Sequence, residues 1–245
     1  MTGIVNINKP QGRSSHFAVA VIRRITKIKK VGHTGTLDPL ATGVLPICIG
    51  REATKLSQMI MDGNKGYKAC VQLGAETNTQ DSEGEIIEQK SFNHVTKEQL
   101  LTVLESFLGD QEQIPPMYSA IKINGQKLYN LARKGIEVER KPRKIHIFNI
   151  ELLSLDLEKG TFEMQVDCSK GTYIRTLCSD IGKALGTFAH MTALERNKCG
   201  RFTIDTAVTL EQFETLFNEN RLEGVLIDPQ TVLEETTNEN NTVTE

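Results

Sequence analysis

The segment that most constrains this chain runs from Lys30 to Gly50 and reads KVGHTGTLDPLATGVLPICIG. It contains four glycines, two prolines and a single acidic residue, Asp38. Glycine permits backbone turns that residues with a Cβ resist, and Pro39 restricts the preceding Asp38 to extended backbone. The pattern therefore predicts a stiff loop that presents one carboxylate to a bulky ligand.

The charges around this loop favour an anionic ligand. Residues 1–37 contain seven Lys and Arg and no acidic residue. The whole chain carries a net charge of −2, but this charge is unevenly distributed. Residues 205–245 contain ten acids and one base and sum to −9, so residues 1–204 sum to +7. A second basic segment, Lys122–Lys144, has eight cations against two acids. Most charge runs are solvated surfaces, yet two separate basic segments indicate a polyanion such as RNA.

Length and cysteine usage narrow the class of protein. A chain of 245 residues can bury one core, or one core and a small subdomain. It has no apolar run of the roughly 20 residues needed to span a bilayer and no secretory signal pattern. Its five cysteines include no C-x-x-C pair, which argues against a disulfide framework or a zinc site. We therefore expect a cytoplasmic protein without a metal.

Hydrophobic periodicity predicts strands mixed with helices, as in an α/β (mixed α+β) domain. The predicted strands cover residues 3–8, 44–49, 67–73, 85–88, 118–123, 145–157, 161–168 and 189–202. The predicted helices cover residues 14–28, 52–61, 96–109, 128–135, 171–186 and 210–217. The polar end of the chain, TTNENNTVTE, has no periodicity and is predicted to be disordered.

Residue chemistry alone leaves two roles open for each candidate residue. Asp38 is either the start of an Asp-Pro turn or an ionised nucleophile or general base. His33 is a surface loop residue or inserts beside a base. Tyr67 is a core or edge aromatic, or a platform on which a base stacks. Arg175 forms a surface salt bridge, or holds a carboxylate ionised.

Three classes of function follow from these alternatives. The first is an enzyme that acts on RNA through Asp38, and the second is an RNA-binding module in which Asp38 is structural. The third, a small-molecule hydrolase, requires a Ser–His or metal constellation that the sequence does not contain.

Several motifs resemble the TruB family of bacterial tRNA pseudouridine synthases, which act on the T-loop uridine at position 55. They are INKPQGRSSH, GTLDPLATG, GYKA, IPPMYSAIKINGQKLYNLARKG, SKGTYIRTL and AHMTALERNKCGRF, in that order over about residues 3–217. The resemblance implies a mixed, largely antiparallel sheet flanked by helices. It also implies a catalytic domain at 1–217 and an RNA-gripping insertion at about 115–142.

The match to this family departs in two places. Many members continue into a small C-terminal RNA-binding domain of the PUA type, whereas residues 218–245 here form a short acidic tail, so that we expect this module to be missing. Glu195 stands where the family usually has a base.

The resemblance also implies roles for individual residues. Asp38 would be the catalytic aspartate, Arg175 its ion-pair partner, and Tyr67 the ring that stacks on the target uracil. The residues implied in substrate binding are His33, which enters the T loop, Leu194, which lines the base pocket, Lys9 with Pro10, which buttress the site, and Tyr173.

The implied reaction converts uridine to pseudouridine in the T stem-loop of tRNA after the base is flipped out of its stack. The implied enzyme is an isomerase that uses no metal or organic cofactor, has no membrane association or obligate protein partner, and acts as a monomer. The sequence leaves three routes open for Asp38: attack on the uracil, attack on the sugar, and elimination.

Overall fold

A computed structural model describes residues 1–123 and 125–234 of the chain. The polar end at 236–245, predicted to be disordered, lies outside the described residues. The chain divides into two compact units. The first unit comprises Met1–Lys65 and the chain from Glu195 onward, and the second comprises Gly66–Leu194.

Seven α-helices lie within the described residues. They are α1 (Ser15–Thr26), α2 (Gly50–Lys55), α3 (Ser57–Asp62), α4 (Lys97–Ser106), α5 (Leu128–Ala132), α6 (Ile174–Ala184) and α7 (Leu210–Asn218). None of these described helices is both long and apolar enough to cross a membrane.

Fourteen strands accompany these helices in the described part of the chain. They are β1 (Gly3–Lys9), β2 (Val31–His33), β3 (Thr42–Ile49), β4 (Lys65–Leu73), β5 (Ala75–Thr77), β6 (Ile86–Gln89), β7 (Gly109–Gln113), β8 (Lys122–Ile123), β9 (Gln126–Lys127), β10 (Arg143–Asp156), β11 (Thr161–Cys168), β12 (Ala189–Cys199), β13 (Phe202–Thr203) and β14 (Leu226–Ile227).

The sheet of the first unit is built on β1 and β3. These strands pair antiparallel from Gly3 opposite Ile49 to Lys9 opposite Gly43, and β14 adds to the other edge of β1. Both strands are buried along nearly their whole length, because helices α1, α2 and α7 pack against this unit's sheet. The segment between β2 and β3 is the loop that carries Asp38.

The predicted helix at 52–61 is two short helices, α2 and α3. They meet at Leu56, whose backbone N–H bonds to the carbonyl of Ala53 three residues earlier. This tighter bond interrupts the α-helical ladder. Ala53 and Ile60 nevertheless face the same buried cluster, which also includes Phe202 of β13.

The second unit contains the strand order β4-β11-β10-β7. Strands β10 and β11 form the predicted antiparallel hairpin, with Asp156 opposite Thr161. In β11 every second side chain, from Phe162 to Cys168, is buried, because alternate residues of a strand point to opposite faces. The predicted mixed fold with a largely antiparallel sheet is confirmed.

The predicted strand at 118–123 is wrong over most of its length. Only Lys122–Ile123 forms a strand, in a two-residue ladder with Gln126–Lys127. The carbonyls of Tyr118 and Ser119 are bonded elsewhere, to the Arg175 guanidinium and to the backbone N–H of Tyr129. They are therefore not available for a strand ladder.

Helix α4, predicted at 96–109, begins with a capping box formed by Thr96 and Gln99. The Thr96 hydroxyl accepts a hydrogen bond from Gln99 N at 3.3 Å, and Gln99 Oε1 accepts one from Thr96 N at 2.9 Å. We predict that Thr96→Ala lowers the free energy of unfolding by about 1 kcal/mol, because it removes the cap. Urea denaturation measures this change.

Thr102→Ala on the same helix is the matched control. Thr102 lies on the exposed face inside α4, and alanine has the higher helix propensity. We expect a change within about 0.5 kcal/mol for this variant. Equal destabilisation by the two substitutions would contradict a capping role for Thr96.

Candidate active site

The residue before Asp38 is fixed by a buried serine. The Ser15 hydroxyl, at the first position of α1, accepts a hydrogen bond from Leu37 N at 2.8 Å and donates one to Leu37 O at 3.0 Å. Ser15 is only 2% exposed. Both backbone polar groups of Leu37 are thus bonded to one side chain.

The residue after Asp38 is held in place by hydrogen bonds from the end of β1 and from the turn that follows it. Pro39 O accepts hydrogen bonds from Gly12 N at 2.8 Å and from the Lys9 ammonium at 3.4 Å. Lys9 is fully buried, and its Nζ also donates to Pro10 O at 2.9 Å. These bonds give Lys9 and Pro10 a place beside the Asp38 loop.

The two ends of the loop are joined by Arg196, a side chain that the sequence analysis did not single out. Its Nε donates to Val44 O at 2.8 Å and its Nη2 to Gly35 O at 3.3 Å. A Cβ at Gly43 would overlap the Arg196 carbonyl, so the close approach of β12 to β3 requires glycine there. Glu195, the residue that departs from the family pattern, pairs with Thr42 in the same ladder.

Asp38 itself is partly exposed between these fixed neighbours. Its own carbonyl accepts a hydrogen bond from Ala41 N at 3.1 Å, which closes a tight turn after the aspartate. The loop is therefore held by backbone bonds and buried side chains on both sides, and its carboxylate is the acidic group that it presents.

His33 lies at the end of β2, next to a cavity of about 300 Å³ that His16 and Arg23 also line. The centroids of the His33 and His16 rings are 5.3 Å apart. Burial, and then electrostatic interaction with His16 and Arg196, lower the pKa of His33 to about 4. His33 is therefore a neutral ring at physiological pH, which can lie against a nucleobase without the cost of desolvating a charge.

In the second unit, Arg175 is the second residue of α6 and is only 4% exposed, so it does not form a surface salt bridge. Its Nη1 donates to Thr79 O at 2.7 Å and its Nη2 to Tyr118 O at 2.8 Å. The Asp81 carboxylate lies 3.6 Å from Nε. Three partners thus fix the plane of the guanidinium.

Asp81 is a buried acid that the sequence analysis missed. Its Oδ1 accepts hydrogen bonds from the Thr79 hydroxyl at 2.6 Å and from Glu83 N at 3.1 Å. The TQDSEG segment reads as a polar turn, and no signal in it distinguishes a buried acid from an exposed one.

The remaining predicted residues of the second unit are Tyr67, Tyr173 and Leu194. Tyr67 in β4 and Leu194 in β12 are each 9% exposed. Tyr173 precedes α6, and the side chain of Gln113 fixes its backbone with bonds of 2.8 Å to its N–H and 3.0 Å to its carbonyl. The predicted ion pair between Asp38 and Arg175 joins residues of the two units and stays a prediction.

The predicted RNA-gripping insertion forms a basic recess of about 620 Å³. Its walls include Lys122, Lys134 and the aromatic ring of Tyr129. The Lys127 ammonium and the Arg133 guanidinium lie 5.4 and 5.6 Å from the centre of that ring. Cations around an aromatic face form a surface suited to phosphates and bases.

Comparison with known families places the chain. The description "TruB family pseudouridylate synthase (N terminal domain)" matches residues 23–174, and "tRNA pseudouridylate synthase B C-terminal domain" matches residues 175–234. The chain belongs to the TruB family of pseudouridylate synthases. Members of this family are isomerases, and the predicted family and enzyme class are confirmed.

Individual relatives agree with this family. The protein named tRNA pseudouridine synthase B from Clostridium tetani is 49% identical over 233 residues, which cover 95% of this chain and 78% of the relative. The protein of the same name from Alkaliphilus oremlandii is 54% identical over 218 residues, or 89% of this chain and 72% of the relative.

Two solved structures share the fold. A chain in the crystal structure of a Cbf5-Nop10-Gar1 complex is 30% identical with a TM-score of 0.70, over 91% of this chain and 56% of that chain. A chain in an H/ACA RNP bound to a substrate RNA containing 2'-deoxyuridine is 26% identical with a TM-score of 0.69. It covers 93% of this chain, which spans 59% of the solved one.

Groups that hold metals are absent from the described residues, where no three His, Cys, Asp or Glu side chains are placed to bind an ion. The thiol of Cys48 is buried, and burial raises its pKa to about 12. This thiol is therefore a packing group and not a nucleophile.

The low pKa of His33 predicts a pH dependence of stability. Between pH 6.5, the ordinary histidine pKa, and pH 4, the unfolded chain binds a proton that folded His33 does not. The free energy of unfolding therefore falls as the pH drops through this window. We predict that His33→Asn reduces the loss between pH 7 and pH 5, measured by urea denaturation at both values.

His94→Asn, which removes an exposed histidine of the second unit, controls for the loss of one imidazole ring. An equal loss of stability between the two pH values in wild type and His33→Asn would contradict the assignment of a neutral, buried His33.

Proposed function

We propose that this protein isomerises uridine to pseudouridine at position 55 in the T loop of tRNA, with Asp38 as the nucleophile or base. The observation that carries the proposal is the fixed Asp38 loop, held through Leu37 and Pro39, in a chain of the TruB family. The name tRNA pseudouridine synthase B of relatives about half identical to it supports tRNA as the substrate.

Basic surfaces of both units supply the contacts to RNA in this proposal. Helix α1 carries exposed Arg24 and lies before the basic segment Lys27–Lys30. The recess around Tyr129 adds cations of the insertion. Neutralisation of phosphates by such groups gives affinity without sequence specificity. The protein acts as a cytoplasmic monomer without an obligate protein partner, and the T stem-loop is its binding partner.

Base flipping is the step that gives the enzyme access to the glycosidic bond. A uridine stacked in a structured loop shields its C1′–N1 bond, so the nucleotide swings out before reaction. His33, neutral in the folded protein, fills the space that the base leaves. Tyr67 stacks on the extruded uracil, and Leu194 lines its apolar side, whereas Tyr173 stands at the start of α6 beside Arg175.

The reaction replaces one bond between the ribose and the uracil with another. The C1′–N1 bond breaks, the uracil turns, and a C1′–C5 bond forms. The proton on C5 is lost and N1 gains a proton, so that the reaction involves neither net redox change nor hydrolysis. Asp38 acts in its ionised form by attack on the uracil, by attack on the sugar, or as the base of an elimination. Arg175 keeps the carboxylate ionised where substrate excludes water.

The direct test is tritium release from tRNA labelled at uracil C5. We predict that Asp38→Asn lowers the rate of tritium release by about 10²–10⁴-fold, which is the usual contribution of a general acid or base. RNA affinity is retained. Asp205→Asn, an exposed aspartate of the same unit, is the matched control and keeps the wild-type rate.

Two results of this experiment would contradict the proposal. Near-normal release from Asp38→Asn removes Asp38 from the chemistry. Tight RNA binding by the wild-type protein with no modified nucleoside supports the alternative of a non-catalytic RNA-binding module.

Arg175→Lys tests the second charged group. A lysine has one nitrogen in place of the three that now meet Thr79, Tyr118 and Asp81, so it cannot keep the planar geometry. We predict a loss of roughly 100-fold in single-turnover rate, comparable with the removal of one oriented donor. Circular dichroism checks that the variant is folded, and unchanged turnover would exclude Arg175 from the site.

A further inference from the structure

We propose that Ser15 is a positioning residue that holds Asp38 in its reactive place. This inference rests on the proposed function of Asp38 and extends it to a buried side chain at the start of α1. The Ser15 hydroxyl donates a hydrogen bond to Leu37 O at 3.0 Å and accepts one from Leu37 N at 2.8 Å. One hydroxyl thus satisfies the complete backbone hydrogen bonding of the residue before the aspartate.

Ser15 is itself rigidly placed. It is the first residue of α1, a helix whose place is fixed by its buried face. The cap of this helix is the preceding Ser14, whose hydroxyl accepts a hydrogen bond of 3.1 Å from Phe17 N and adds only to the stability of the first turn. Ala18 and Ile22 of the same helix are fully buried in the first unit. Through this hydroxyl, Leu37 of the loop is hydrogen-bonded to a helix that is itself packed in the core.

The position of Leu37 matters because its carbonyl lies in the same planar peptide as the Asp38 nitrogen, so that a single backbone torsion, φ of Asp38, separates this peptide from the Asp38 side chain. On the other side, Pro39 limits Asp38 to extended backbone, and Gly12 N and the Lys9 ammonium bind Pro39 O. The Asp38 carbonyl lies in the peptide that joins Asp38 to Pro39, and it accepts a hydrogen bond from Ala41 N at 3.1 Å. With Leu37 held by Ser15, the peptides on both sides of Asp38 are therefore bonded before any substrate arrives.

Loss of the hydroxyl has a specific consequence. Leu37 is 4% exposed, so its N–H and carbonyl would lie buried without the partner that now satisfies them, and the backbone would shift to find new ones. A displacement of about 1 Å at a reacting group costs on the order of 10²-fold in rate. The RNA-binding surfaces contain neither Ser15 nor Leu37, so affinity is retained.

The experiment compares alanine substitutions at two adjacent serines. Ser15→Ala and Ser14→Ala are assayed for single-turnover pseudouridine formation on a saturating T stem-loop RNA, and for the Kd of that RNA. Ser14→Ala loses the helix cap but leaves the bonds to Leu37 in place. We expect a rate about 10- to 100-fold lower for Ser15→Ala, an unchanged Kd, and the wild-type rate for Ser14→Ala.

A third variant and a measurement on the wild-type protein complete the test. Ser15→Thr keeps a hydroxyl and restores most of the rate if the hydrogen bonds are responsible. Hydrogen exchange of the Leu37 amide in the wild-type protein is independent of any folding defect in the variants, and strong protection is expected.

Several outcomes would overturn the inference. Ser15→Ala that reacts as fast as Ser14→Ala, a Ser15→Thr variant as slow as Ser15→Ala, or a Leu37 amide that exchanges like an unstructured peptide would each do so. A wild-type protein that forms no pseudouridine on this RNA would overturn the proposed function itself, and the positioning role with it.

Discussion

The hydrogen bonds on either side of Asp38 are the constraint on which the candidate site depends. Ser15 holds Leu37, and Gly12 with Lys9 holds Pro39. These partners come from the end of β1, from the turn that follows it and from the start of α1, and the core of the first unit fixes both β1 and α1. A carboxylate between two anchored peptides needs little reorganisation when a substrate arrives, which is the condition for efficient electrostatic and nucleophilic catalysis.

In the second unit, the Arg175 guanidinium is likewise held in a fixed orientation by neighbouring groups. Arg175 is buried, and its three nitrogens have partners in two backbone carbonyls and in the Asp81 carboxylate. Asp81 is in turn oriented by Thr79 and by the backbone of Glu83. A buried guanidinium in such a network is set in direction as well as in charge.

Local patterns in the sequence predicted much of the fold. The alternation of β11, the hairpin that joins it to β10, and the capping box of α4 depend on residues close together in the chain. The stiff loop at Asp38 was predictable for the same reason, since glycine and proline act on the backbone beside them. The residue pattern left alternatives open for Tyr67 and Arg175, and only the family resemblance selected among the roles expected for them.

The features that sequence reasoning missed are contacts between distant residues. Ser15 and Leu37 are 22 positions apart, and Arg196 reaches Val44 across 152 positions. A serine near a helix start indicates a cap, as Ser14 is, and no single-chain pattern shows that its neighbour binds a remote loop. The wrong strand at 118–123 has a similar cause, because a carbonyl of this segment is bonded to the distant Arg175.

We infer that the Asp38 loop, which hydrogen bonds hold in place before the substrate binds, acts on one extruded uridine of the T loop. The most direct test of this inference is nucleoside analysis and position mapping of a T stem-loop minihelix after incubation with the pure protein. The account predicts stoichiometric pseudouridine at position 55 and unmodified uridines elsewhere. Bound but unmodified RNA, or pseudouridine only at other positions, would contradict it.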